Sequence, residues 1–346
     1  MRALQLWRRL PRVVRIVLVR LSLLAPQMFG VTFATFMLVR MLPGDPAMLL
    51  LGDLASPETV RALRHKLGLD ASLYEQFIRY IGATLHGDLG VSPFTSNPVA
   101  LDLMQRAPAT LELICYAMLF TLLIGVAVAV ITVVRPGGLV DLGSTAYSMA
   151  AGAIPDFCAG LLLIFILFHI LGWAPAPFGR IDAMLAPPPT RTGFYSLDSL
   201  LAGDWAAFGS SVAHLALPVL TITIVNAGAL TKLTRAVFAE SYWSDFVIHA
   251  RACGLSEPQL IGIALRNSLG PIISLAGFLT GYLLGAAVLV ETLFAWGGLG
   301  QYAVQAVVNS DYPALQGFVL FASVFILLVY LVADIFYELA DPRIRI

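Results

Sequence analysis

Ionisable residues set in or beside long apolar runs are the first places to look for chemistry, because each must be solvated by something other than oil. Asp156 follows Pro155 within one such run, Glu112 and Glu291 stand at the edges of two others, and Asp334 lies near the end of a further one. Asp156 has two readings: it faces a cavity and attracts cationic groups, or it hydrogen-bonds backbone freed by Pro155. Glu112 and Glu291 read as interfacial hydrogen-bonding groups and Asp334 as structural. His169 and His214 are single histidines in apolar surroundings, with no clustered ligands. The three cysteines, Cys115, Cys158 and Cys253, have no C-x-x-C spacing, which argues against a zinc site or a disulfide framework.

No G-x-x-x-x-G-K-[ST] occurs, so the chain does not cradle nucleotide phosphates by that device. G-x-S-x-G, H-E-x-x-H and a paired-carboxylate cleft are missing as well. If the chain's work draws on ATP, another subunit must supply it. The segment 232–267 is where such a subunit could touch. It contains Glu240, Asp245, and then Ala250, Arg251, Ala252, Cys253, Gly254, Leu255 and Ser256. A short helix, a glycine able to take positive φ and a second helix opening at Ser256 would make a compact helix-turn-helix able to transmit a push. An ordinary solvated loop is the alternative. Gly277, Gly281 and Gly285 recur at every fourth residue, a stripe that lets another helix approach closely or lines a pore.

These residues are carried by an oily chain. Of its 346 residues 59% are hydrophobic and 12% charged, with a mean hydropathy of +0.85. A soluble domain carries about 25% charge, so lipid must replace much of the water. A net charge of zero argues against nucleic acid as a partner. A spanning helix needs roughly 20 apolar residues. Residues 21–39, 113–134, 142–171 (interrupted by Asp156), 205–231, 271–290 and 312–333 qualify. The first run is too long for a signal-peptide core and reads as an uncleaved span.

Lys and Arg on short connections place both termini in the cytoplasm: Arg2, Arg8, Arg9, Arg12, Arg15 and Arg20, then Arg135, the 232–267 segment, Arg343 and Arg345. Arg180 and Arg191 fall on the opposite, external side. The predicted divisions are a basic N-terminus 1–20, a first span 21–42, a periplasmic helical segment 43–106, a five-helix membrane domain 107–340 with a cytoplasmic loop 232–268, and a C-terminus 341–346. Within 43–106, Ser56-Pro57 reads as a helix start with Gly68 as its exit. Ser72 and Glu75 form a possible capping box for a second helix ended by Gly87. These helices pack on the mouth of the membrane domain or contact a soluble partner.

Several stretches together resemble the membrane subunits of dipeptide and oligopeptide ABC importers, the type I binding-protein-dependent permease family. They are Arg40-Met41-Leu42-Pro43-Gly44-Asp45-Pro46, His86-Gly87-Asp88-Leu89-Gly90, Pro108-Ala109-Thr110-Leu111-Glu112, Thr192-Gly193-Phe194, Ala264-Leu265-Arg266-Asn267, Val290-Glu291-Thr292-Leu293-Phe294 with Gly298-Leu299-Gly300, and Asp341-Pro342-Arg343. They occur in order from about residue 10 to the end. The resemblance implies an all-α integral membrane protein of about six transmembrane helices, with a helical periplasmic insertion between the first two spans.

The same resemblance implies that 232–268 is the coupling loop, its signature glycine at Gly254 and its later proline at Pro271. Cys253 departs from the usual lysine there, and Ile248-His249 replaces a more basic pair. ATPase-coupling residues are then Glu240, Asp245, Ala250, Arg251, Ala252, Gly254, Leu255 and Ser256. Candidate translocation-path residues are Asp156 and Glu291, with Asp156 drawing cationic groups such as a peptide's amino terminus. Implied partners are a homologous second permease, two ABC ATPase subunits that carry the ATP and magnesium, a periplasmic substrate-binding protein, a peptide and the bilayer of the inner membrane. The chain itself needs no cofactor and breaks no bonds. The same machine carrying nickel or another small solute, a standalone secondary transporter and a membrane enzyme are the rival readings.

Overall fold

A computed structural model of the protein describes residues 12–41, 48, 56–66 and 70–340. The expectations on Arg2, Arg8, Arg9, Gly44, Gly68, Arg343 and Arg345 lie outside the described residues, as does the start of the 43–106 segment. The regular structure of the described residues is helical, with one isolated β-bridge, Val91 to Pro98.

Helix α1 spans Arg12–Met41. Two short helices follow, α2 (Pro57–Lys66) and α3 (Leu73–Leu85). Ser56 Oγ accepts from the Thr59 amide at 3.2 Å, and Ser72 with Glu75 closes a reciprocal capping box. Phe77 of α3 is buried against Phe29, Phe33 and Phe36 of α1, with ring centroids 5.2–5.8 Å apart. That contact ties the amphipathic helix to the first span.

Four long helices make the body: α4 (Val99–Val134), α8 (Trp205–Tyr242), α10 (Glu257–Leu293) and α12 (Tyr312–Ala340). Among the described residues five helices, α1 included, are long and apolar enough to cross a membrane, or six if a bent pair counts as one span. Helix α8 packs along both α4 and α10, while α12 lies on α10 and carries α1. The core between them is formed by Leu113, Ile114, Ile222, Leu230, Leu283, Ala287 and Val290. Outward positions such as Leu123 and Phe278 are equally apolar and exposed, the arrangement of helices that face lipid.

Two expectations change. The span expected at 113–134 is a helix that starts at Val99, so the boundary drawn at residue 107 falls inside it. Its first turns are too polar for a hydropathy window, yet Pro98 and Asp102 open the helix well before the apolar run. The span expected as one piece at 142–171 is instead two helices, α5 (Leu139–Ala151) and α6 (Asp156–Leu163), the latter continued by a π-helical stretch, Ile164–Ile170, with a 113° bend between them. Pro155 lacks an amide hydrogen and cannot continue α5, so α6 starts afresh with Asp156 in its first turn.

Candidate functional site

At one end of the bundle α8 and α10 are joined by a hairpin. Helix α9 (Asp245–Ala252) is followed by a turn in which Gly254 has φ +87°, a left-handed conformation costly for a residue with a Cβ. Ser256 then caps α10 through a box with Gln259, the Ser256 amide donating at 2.8 Å. A socket of Val133, Phe238, Tyr242, Val247, Leu260 and Ala264 seats the hairpin on α4, α8 and α10. Ser241 Oγ donates to the Ala264 carbonyl at 3.0 Å, Tyr242 to Glu257 at 2.6 Å, and Arg251 lies 3.5 Å from Glu257 and over the Tyr242 ring. Helix α9 is thus held rigidly to both long helices.

The sequence-derived residues of this hairpin divide by burial. Ala250 and Leu255 pack against the socket, and Arg251 is half-buried. Glu240, Asp245, Ala252, Gly254 and Ser256 are exposed. So are Trp243, Phe246 and Ile248, three apolar side chains that sequence reasoning passed over. Their signal was present: large apolar residues among charges, on a short helix whose other face is already spent on Val247.

The opposite end is closed by buried charges. Glu112, 2% exposed, accepts from Arg180 at 2.5 Å and from the Ser196 amide and hydroxyl at 2.9 and 2.6 Å. Arg180 also donates to the Gly193 carbonyl at 2.7 Å and lies 3.8 Å over the Tyr195 ring. Gly193 takes φ +79°, and a Cβ there would meet the Pro108 ring at 2.6 Å. Only glycine fits. Helix α7 (Tyr195–Ala202) presents Asp198, which accepts from the Arg191, Thr192 and Gly193 amides and from the Thr192 hydroxyl. Burial pushes the Asp198 carboxyl upward, but those four hydrogen bonds outweigh it and hold the pKa below the ordinary value.

Glu291 completes this seal. It is fully buried, accepting from Thr110 through one oxygen and from the Gly300 and Gln301 amides at 2.7 and 3.1 Å through the other, beside helix α11 (Leu299–Val308). The expectation that Glu291 lines a path is corrected: its oxygens face protein donors, not a cavity. Glu112, read as a hydrogen-bonding group, makes its bonds from a buried position, and Arg180 of the external side is its ion-pair partner.

Asp156 sits half-buried at the bend, accepting from Asn226 of α8 at 3.1 Å. In the glycine stripe, a Cβ on Gly277 would lie 2.5 Å from that of Ala333 and one on Gly281 3.4 Å from Tyr330, so both pack against α12. Gly285 is exposed and meets nothing within 4 Å, so it takes no part in that packing. Asp334 pairs with Arg20 and so joins α12 to α1. Among the described residues no group of three or more His, Cys, Asp or Glu could hold a metal ion.

Two family descriptions fit this chain: "Binding-protein-dependent transport system inner membrane component" over residues 121–346, and the N-terminal counterpart of that component over residues 13–114. The di/tripeptide transport system permease protein DppB of Pseudomonas aeruginosa is 39% identical over 328 residues, covering 94% of this chain and 97% of the relative. The dipeptide transport system permease protein DppB of Escherichia coli is 35% identical over 334 residues, 95% and 98% of the two chains. A glutathione transport system permease protein, GsiC of Escherichia coli, is 33% identical over 330 residues, 95% and 98%. With these matches running almost end to end over a multi-pass helical body, the chain belongs to the family of membrane components of binding-protein-dependent transport systems.

Proposed function

We propose that this chain is one of two permease subunits of an ATP-binding-cassette importer that moves dipeptides or short peptides across the bacterial inner membrane, with both termini cytoplasmic. The observation that carries the reading is the hairpin of α9, Gly254 and α10: a rigid handle with exposed apolar and acidic groups, on a chain with no nucleotide-gripping motif. Two partner ATPase subunits holding ATP and magnesium grip it, with Glu240, Asp245, Arg251 and the exposed Trp243, Phe246 and Ile248 forming the contact. An extracytoplasmic binding protein delivers cargo to the end sealed by Glu112 and Arg180. The peptide cargo rests on what the relatives are named for.

In this reading Asp156 faces the translocation cavity. Its place at the bend between α5 and α6, supported by Asn226, leaves the carboxylate able to meet a peptide's ammonium group when the bundle opens.

The test is uptake by the complete transporter in proteoliposomes. Labelled dialanine should accumulate only with ATP and the binding protein present. Gly254→Val should reduce uptake while the subunits still co-purify, because the turn and not the fold is strained. Asp156→Asn should weaken uptake of dialanine more than of an N-acetylated analogue. Accumulation that persists with an inactivated ATPase would make the chain a standalone transporter. Glutathione outcompeting dialanine would shift the cargo to the second reading, a thiol tripeptide.

A further inference from the structure

A groove of about 680 Å³ runs between α4, α10 and α12, lined by Leu122, Ile273, Ala276, Phe325, Val329 and Phe336. Thr280 brings the groove's one hydroxyl, which donates to the Ala276 carbonyl at 2.7 Å. Nothing is left in the walls to pair with a zwitterion, so the groove does not suit a peptide. Along α10 it extends from Leu269 to Thr280, about 16 Å at 1.5 Å per residue. That is close to half the roughly 30 Å hydrocarbon core of a bilayer. The groove is one leaflet deep, on the hairpin side.

An extended hydrocarbon chain suits these apolar walls, and the charge at the groove's end decides what carries it. At the hairpin end, Arg266 lies one turn before Leu269 and two turns before Ile273, on the face of α10 that lines the groove. It is exposed and makes no ion pair with another described residue. A long cationic side chain at that depth reaches the headgroup layer.

We propose that this groove holds one acyl chain of an anionic phospholipid from the hairpin-side leaflet, its phosphodiester paired with Arg266. The site rests on the membrane-embedded fold and not on the identity of the cargo. Binding there places a lipid against α10, the helix that continues directly from the hairpin, so membrane composition gains a hold on the element that moves with it.

The complete transporter in phosphatidylcholine nanodiscs, doped with phosphatidylglycerol bearing a photoactivatable acyl chain, tests this. Irradiation followed by peptide mass spectrometry should put adducts on α10 around Ile273 and Ala276 and on α12 between Phe325 and Val329. Arg266→Gln should lower that labelling about fivefold, the effect of one basic residue near an anionic surface, and leave labelling by a phosphatidylcholine probe unchanged. Ala276→Trp should abolish labelling by both. Equal labelling by the two probes, unaffected by Arg266→Gln, would overturn the proposal in favour of unspecific boundary lipid. A disulfide from Ala276→Cys to the second permease would overturn it in favour of a protein occupant. Should Ala276→Trp fail to assemble, Arg266→Gln decides alone, since Arg266 lies outside the packed core. Uptake is not the readout, so a wrong cargo assignment leaves the result intact.

Discussion

At the loop end Glu112, Asp198 and Glu291 are buried, with Arg180 nearly so, and supplied with hydrogen bonds from segments far apart in the chain, whereas at the hairpin end the buried groups are Val133, Phe238, Val247, Leu260 and Ala264 and most charges face outward. The first closure is directional. A carboxylate that accepts from Arg180 and from the Ser196 amide has one register, and displacement strands a charge in a poor dielectric. The second is an apolar socket, non-directional and proportional to area. A frame that must hold its shape suits the first, and a handle that rides with α8 and α10 suits the second. The contrast places a directional, charge-paired closure at the loop end and an area-driven apolar one under the hairpin.

The largest expected effect breaks the frame. Glu112→Ala leaves Arg180 buried without its partner and should cost about 3–5 kcal/mol, seen as early thermal unfolding of the purified complex. Replacing both, Glu112→Leu with Arg180→Met, should recover much of that loss, because paired removal strands no charge. If the single variant melts like the parent, the ion pair contributes nothing and the comparison fails.

The next effect is a pH dependence confined to the loop end. Asp198 has its folded pKa below its unfolded value, so its contribution is present above the ordinary carboxylate range near pH 4 and is lost as pH falls through the folded value. Acid should therefore loosen residues 191–198 first, measured by hydrogen exchange between pH 6 and 3. In Asp198→Asn that acid-induced change should shrink, with the segment already less protected at pH 6.

Smaller effects sharpen the hairpin side. Leu260→Met keeps volume in the apolar socket and should cost less than about 1.5 kcal/mol; a loss as large as that from Glu112→Ala would mean the socket is as exacting as the charged seal. Ser256→Ala removes the capping box and should cost about 1 kcal/mol. That loss should appear as faster hydrogen exchange over Glu257 to Leu260 and not as a change in overall melting temperature.

Much of the frame was readable in the residues, and the reason is locality. The oily runs, the Ser72–Glu75 box, the helix start at Ser256 and the positive φ of Gly254 depend on neighbours a few positions away, so order and composition specify them. The same locality misled at two places. A hydropathy window averaged across Pro155 and smoothed a 113° bend into one span, and polar early turns hid the start of α4 at Val99.

The amino-acid order alone therefore determined that this is a membrane protein of about six helical spans with a hairpin before its fifth and without a G-x-x-x-x-G-K-[ST] motif. Tertiary structure alone decided that Glu112 meets Arg180 across 68 positions and Thr110 meets Glu291 across 181. It also decided that Gly277 touches Ala333 while Gly285 touches nothing. Charge pairing and close approach depend on which surfaces the packed helices bring together. A side chain's partner at such separations is set by the whole bundle, and no local pattern carries it.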